Sequence, residues 1–129
     1  MAYTPQSVPE PIGSVVVVTP GTPVQLTSTM QGIVVGSGFM CSSTDAVLCN
    51  KISLQASTIS HAGAGNTGKV YFGTQSMVRA TLAGVIGVIN PGGSFSITNN
   101  VALSTYDLSK LYIDADNSGD GVFGSIDTI

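Results

Sequence analysis

Apolar and polar positions alternate along this chain with a period of two. From Ala46 to Ser57, Ile52, Leu54 and Ala56 fall on one face and Lys51, Ser53 and Gln55 on the other, as in a half-buried strand. Similar short β-branched runs recur between clusters of Gly, Pro, Asn and Asp. Ser14 to Thr19 reads as a strand, and Thr19-Pro-Gly-Thr-Pro turns into another from Val24 to Ser28. Ile33 to Val35, Lys69 to Gly73 and Val85 to Ile89 follow, and Asn90-Pro-Gly-Gly turns into Ser94 to Thr98. Leu111 to Ala115 and Gly121 to Asp127 read as a closing hairpin around Asn117-Ser-Gly-Asp-Gly. Helix signals are nearly absent: the one passable stretch, Ser76 to Ala83, is stopped by Gly84 and Gly87. About eight strands at this spacing predict an all-β fold, an antiparallel two-sheet sandwich of jelly-roll-like kind. Its expected core is Ile52, Leu54, Val70, Phe72, Ile89, Leu111 and Ile113.

The first dozen residues stand apart. Pro5, Pro9 and Pro11 stiffen residues 1–12 into an extended, polyproline-like arm that is excluded from a sheet interior, leaving 13–129 as the single sandwich domain. Such an arm has little to bury against its own domain, so these prolines are the candidate contact to a partner chain.

Composition changes the picture in one respect. Hydrophobic residues make up 43% of the 129, enough for a folded core, but charged residues only 9%, against roughly a quarter in an ordinary soluble domain. Ser, Thr, Asn, Gln and Gly supply most of the polar surface, and a surface with so little like-charge repulsion suits a protein covered by neighbours, or one that lives outside a cell. The four basic residues, Lys51, Lys69, Arg79 and Lys110, are scattered through a chain of net charge −3, which disfavours nucleic-acid binding. The longest unbroken apolar run, Val15 to Val18, is far short of the ~20 residues of a membrane helix. MAYTPQSVPEP carries no basic and then apolar leader, so synthesis in a cytoplasm is expected. Cys41 and Cys49 are expected to be buried thiols in that setting, although a hairpin or loop bringing their Cα atoms within ~7 Å would permit a bridge.

Three strings invite a chemical reading. Gly63-Ala-Gly-Asn-Thr-Gly68-Lys69 satisfies both GxGxxG and GxxxxGK. A phosphate site needs a helix after the glycines, but Val70-Tyr71-Phe72 is a strand, and Val70 stands where a magnesium-holding hydroxyl belongs. The glycines therefore read as a flexible connection. Asp114-Ala-Asp116-Asn-Ser118-Gly119-Asp120 resembles the first half of a calcium loop, yet its twelfth position is Ser125 in place of a bidentate glutamate. An Asp114 on the exposed face of a strand, running into a polar turn, accounts for the same residues. His61 is the only histidine, in a Ser/Gly-rich loop with no GxSxG, and Cys41, Cys49 and His61 lack zinc-ligand spacing. No catalytic, metal-binding or cofactor-binding residue is assigned, and no enzyme activity is expected.

From Cys49 onward the chain resembles a loose family of small bacteriophage virion proteins. The resemblance is carried by Cys49-Asn-Lys-Ile52-Ser-Leu54-Gln-Ala56, by Asn66-Thr-Gly68-Lys-Val70-Tyr71-Phe72-Gly73 and by Gly87-Val-Ile89-Asn-Pro91-Gly92-Gly-Ser94. Asp107-Leu108-Ser109-Lys-Leu111-Tyr112-Ile113 and Asp120-Gly121-Val122 complete the order. Gly93 departs from the family's turn glutamate, and residues 1–40 have no counterpart in it. The resemblance implies a β-sandwich on a phage particle: a capsid decoration (cement) protein, a head fibre, or a neck or tail component. Its expected partners are copies of itself, as a trimer or other symmetric oligomer, and the major capsid or other virion proteins. A free glycan-binding or adhesin module is the rival expectation, with a platform drawn from Tyr71, Phe72, Tyr106, Tyr112 and Phe123.

Overall fold

A computed structural model describes residues 8–28, 34–35, 39–40, 47–56, 66–98 and 106–128. The strands are β1 (Val8–Val16), β2 (Val24–Gln25), β3 (Val34–Val35), β4 (Phe39–Met40), β5 (Leu48–Gln55) and β6 (Val70–Val78). They continue with β7 (Ala83–Ile89), β8 (Ser94–Thr98), β9 (Tyr106–Asp107), β10 (Tyr112–Ala115) and β11 (Gly121–Thr128). A short 3-10 helix, Leu108–Lys110, joins β9 to β10.

One sheet runs β1-β11-β5-β8, with β9 also pairing β5, and the other runs β2-β10-β6-β7; β3 and β4 pair with each other. Within the two main sheets the pairings nest: β1 with β11, β2 with β10, β5 with β8, and β6 with β7, all antiparallel. A long antiparallel ribbon, folded at β6–β7 and rolled so that successive pairs fall in alternate sheets, gives this order. That is the jelly roll, an all-β sandwich of two antiparallel sheets.

The core between the sheets follows the alternation. Ile52, Leu54 and Ala56 point inward from β5, meeting Val70, Phe72, Ile89, Ile113, Val122 and Ile126. Leu111, expected in the core, is only partly buried against it. Phe72 of one sheet and Phe95 of the other lie with ring centroids 5.5 Å apart at 47°, a tilted pair worth about 0.5–1.5 kcal/mol beyond its area. Gly87 makes room for this pair: a Cβ there would stand 2.5 Å from the Phe95 ring.

Three expectations need correction. The arm does not extend to residue 12, because Val8–Pro11 pair with Ser125–Thr128 and Ile12 is buried in the core. Pro9 and Pro11 are tolerated there because β1 is, among the described residues, the last strand on its path, where a proline need break no ladder bond. Pro5 lies outside the described residues. Leu111–Ala115 and Gly121–Asp127 form no hairpin: β10 and β11 belong to opposite sheets, so residues 116–120 cross the end of the sandwich. Asp114, on the face of β10 turned away from Ile113, is nevertheless only 1% exposed. Ser76–Ala83, where the glycines argue against a helix, is the extension of the β6–β7 hairpin.

Since Ile12 is sealed between the sheets, Ile12→Ala is expected to cost about 2–5 kcal/mol in urea unfolding. Deletion of residues 1–12 should lower the midpoint further, by removing four pairings as well; an unchanged midpoint would return the domain boundary to residue 12.

Candidate functional site

Polar side chains that the sequence offers for chemistry are used on backbone. Asp120, 2% exposed, accepts from the N–H groups of Thr67 (3.1 Å) and Gly68 (2.8 Å). Beside it Asn66 donates to the Gly121 carbonyl at 2.7 Å and accepts from the Gly121 N–H at 3.1 Å. The described end of the glycine-rich string, Asn66-Thr-Gly68, is therefore pinned to the start of β11, with no helix after it. Its glycines 63 and 65, and His61 and Cys41, lie outside the described residues. Asp107 caps the 3-10 helix through Ser109 N–H (3.0 Å) and also accepts from Val47 N–H (3.1 Å), fixing the entry to β5.

The second polar cluster sits on the outer face of the β2-β10-β6-β7 sheet. Tyr71 of β6 and Asp114 of β10 are register partners there. Both are buried because residues 77–80 of the β6–β7 hairpin and the turn at Gly21 close over them. Asp114 Oδ1 accepts from Gly21 N–H (3.0 Å) and Ala115 N–H (2.8 Å), and Oδ2 pairs with Arg79 Nε at 3.2 Å. Arg79 Nη1 reaches Asp116 Oδ1 at 2.9 Å, and the Tyr71 hydroxyl donates to Asp116 Oδ2 at 3.3 Å. Burial first, and the Asp116 carboxylate second, push the Tyr71 phenol above its ordinary range.

This arrangement is a brace. All four oxygens of the two carboxylates are engaged, and the guanidinium fork locks the hairpin onto β10. The open groove it borders has a volume of about 510 Å³, between Tyr71, Met77, Arg79 and Asp116. As for the calcium-loop string, Asp114 and Asp116 share Arg79, Ser118 donates to the Val18 carbonyl at 2.6 Å, and Asp120 turns to Thr67 and Gly68. Ser125 lies in β11 between Pro11 and Ser53. Among the described residues no three His, Cys, Asp or Glu side chains are grouped to hold a metal ion. Cys49 is a free, buried thiol, pushed up to about 12 by burial and by Asp107 and Asp127.

The braced hairpin also carries much of the exposed apolar surface. Val78, Leu82, Ile86 and Val88 are each 40% exposed or more, and Leu82 at the turn adopts φ 61. A leucine in the left-handed region costs on the order of 1–2 kcal/mol, and glycine would relieve it. Between Arg79 and Asp107 the sequence contains no charged residue. This stretch includes β7, β8 and the Asn90–Gly93 connection. Sequence reasoning did not single out this surface; the missing charges over residues 80–106 were the available signal.

The aromatic residues proposed as a glycan platform are dispersed. Phe72 is in the core and Tyr71 is under the hairpin, while Phe123, 40% exposed, is on the other sheet between Ser14 and Gln55. Tyr106 and Tyr112 are partly buried. No helix among the described residues is long and apolar enough to cross a membrane.

Comparison with protein-family models, curated proteins and solved structures finds no match to this chain.

Because Asp120 accepts two backbone N–H groups while almost fully buried, Asp120→Ala is expected to destabilise the fold by about 2–3 kcal/mol in urea unfolding. Asp120→Asn, which keeps one acceptor oxygen, should lose less. A neutral Asp120→Ala would show that the latch is dispensable.

Proposed function

We propose that this chain is a bacteriophage virion structural protein, a capsid decoration protein that stabilises the particle by packing on copies of itself and on major capsid subunits. The observation that carries this reading is the charge-free stretch 80–106, which supplies β7 and β8, two neighbouring edges of the folded sandwich. A free protein ordinarily guards such edges with charge. A protein whose surface is covered by neighbours has no such need, and buried apolar area repeated over a lattice stabilises each contact by about 25 cal/mol per Å².

Three further features support it. The jelly roll is an architecture used by capsid and lectin domains alike. The resemblance from Cys49 to Val122 favours the first of these, and the scattered aromatics give the second no platform. The Asp114–Arg79–Asp116 brace keeps a solvent-facing apolar hairpin rigid, which lowers the entropy lost on docking. The polar groups of the two clusters are engaged with one another and with backbone, which suits a mechanism based on packing. The site of action is the virion, after synthesis in the host cytoplasm. A neck, tail or head-fibre position on the same particle is the alternative, separated from decoration by copy number.

The reading is tested by mass spectrometry of particles purified from the genome that encodes the chain. Decoration predicts the chain in intact particles at a fixed ratio to the major capsid protein, in copies comparable to that protein. A few copies per particle would move it to the neck, tail or fibre, and its absence from particles would contradict the virion reading.

A further inference from the structure

Among the described residues the two main sheets present four edges, and they are not equivalent. At one end of the first sheet, β1 carries Pro9 and Pro11 and a register break between Pro11 and Gly13. In the second sheet, β2 is only two residues long, and β7 has register breaks opposite Phe72/Gly73 and Gly73/Val78. Prolines, bulges and shortness are the devices by which proteins prevent strand pairing with another chain. The fourth edge, β8, has none of them. Ser94–Thr98 pairs with β5 through five consecutive residues without a break, contains no proline and no charge, and is the last strand on its path among the described residues.

We infer that β8 is a self-association edge, pairing antiparallel with β8 of a second copy about a two-fold axis. An unpaired edge asks for an extended strand, because alternate N–H and C=O groups otherwise have no ladder partner. The strand that meets this edge best is its own copy. Ser94, Ser96 and Thr98 are exposed and uncharged, so two copies align hydroxyl against hydroxyl with no like charges opposed, although the chain as a whole is at −3. Head-to-tail pairing of β8 with β1 of the next copy, which would propagate a filament, is opposed by Pro9 and Pro11. One open edge and a blocked opposite edge give a closed pair, joining two sheets into one across the axis. This inference deepens the proposed function by naming a surface for contact between copies, and rests on that reading only in taking another protein as the target.

The test is sedimentation equilibrium of the full chain across a dilution series, with Ser96→Lys and Ser96→Glu beside it. The parent chain is expected to form a dimer that dissociates to the 13.1 kDa single chain on dilution. Each variant, placing like charges near the axis, should be monomeric at concentrations where the parent is dimeric, and an equal mixture of the two should recover the dimer mass. Ser94→Cys, Ser96→Cys and Thr98→Cys give a second readout that does not depend on added charge. Taken singly and as pairwise mixtures, at least one of these should form a covalent dimer on oxidation that the parent chain does not, since a two-fold strand pair sets each of 94, 96 and 98 against itself or against another of the three, within disulfide reach. A parent chain that stays monomeric throughout, variants that dimerise as the parent does, or cysteine variants that fail to cross-link would each overturn the pairing. Such a failure in a chain still found in particles leaves the virion reading standing; a β8 dimer absent from particles does the reverse.

Discussion

Three aspartates bonded to distant backbone hold the crossings of this fold together. Asp120 holds Thr67 and Gly68, Asp107 holds Val47, and Asp114 holds Gly21, across 52 to 93 positions of sequence. The need arises from the topology. A jelly roll sends successive strand pairs to opposite sheets, so its connections must cross the ends of an apolar core, where their N–H groups have left one ladder without joining another. A carboxylate accepting those N–H groups satisfies them at the cost of one buried charge, and several donors to one acid offset that cost. Arg79 extends the same economy to the outer face, where one guanidinium serves two acids and fixes the hairpin beside them.

That requirement explains which parts of the molecule the sequence revealed. The β5 alternation announced its inward face without ambiguity, since Ile52, Leu54 and Ala56 are all buried and Lys51 and Gln55 are exposed. The strand after the glycine string and the turn at Asn90–Gly93 were equally legible, because each depends on local chemistry. Sheet membership was not. The string Asp114 to Asp120 carries the polar signature of a hairpin turn, and only the pairing of β10 with β6 and of β11 with β5 makes it a crossing. The fate of Asp114 was illegible for the same reason: alternation correctly puts it on the outer face, but its burial depends on residues 77–80 arriving from elsewhere in the chain. Pro9 and Pro11 read as an arm because proline argues against a sheet interior, and sequence alone gives no sign that the strand they occupy is an edge.

The candidate surface was legible only in the negative. No motif marks Val78, Leu82, Ile86 or Val88, and nothing in the local pattern distinguishes β8 from any other short strand. What the sequence does hold is a long stretch without charge, and the fold converts it into neighbouring sheet edges, one of them with none of the usual obstacles to pairing. The acids and Arg79 build the interior crossings and the brace, while the charge-free stretch is left at the edges. Scaffold and charge-free edges are thus separated along the chain, an arrangement that suits the proposed packing role.

Hydrogen–deuterium exchange, read peptide by peptide on the isolated chain at high dilution and on the same chain in its native assembly, tests this account most directly. The account predicts that, within residues 83–98, the amides outside the β5 and β6 ladders exchange readily in the dilute chain and become protected on assembly, while those bonded into the ladders and the crossings held by Asp107, Asp114 and Asp120 are protected in both. Assembly that leaves 83–98 unchanged and protects other segments instead would contradict it.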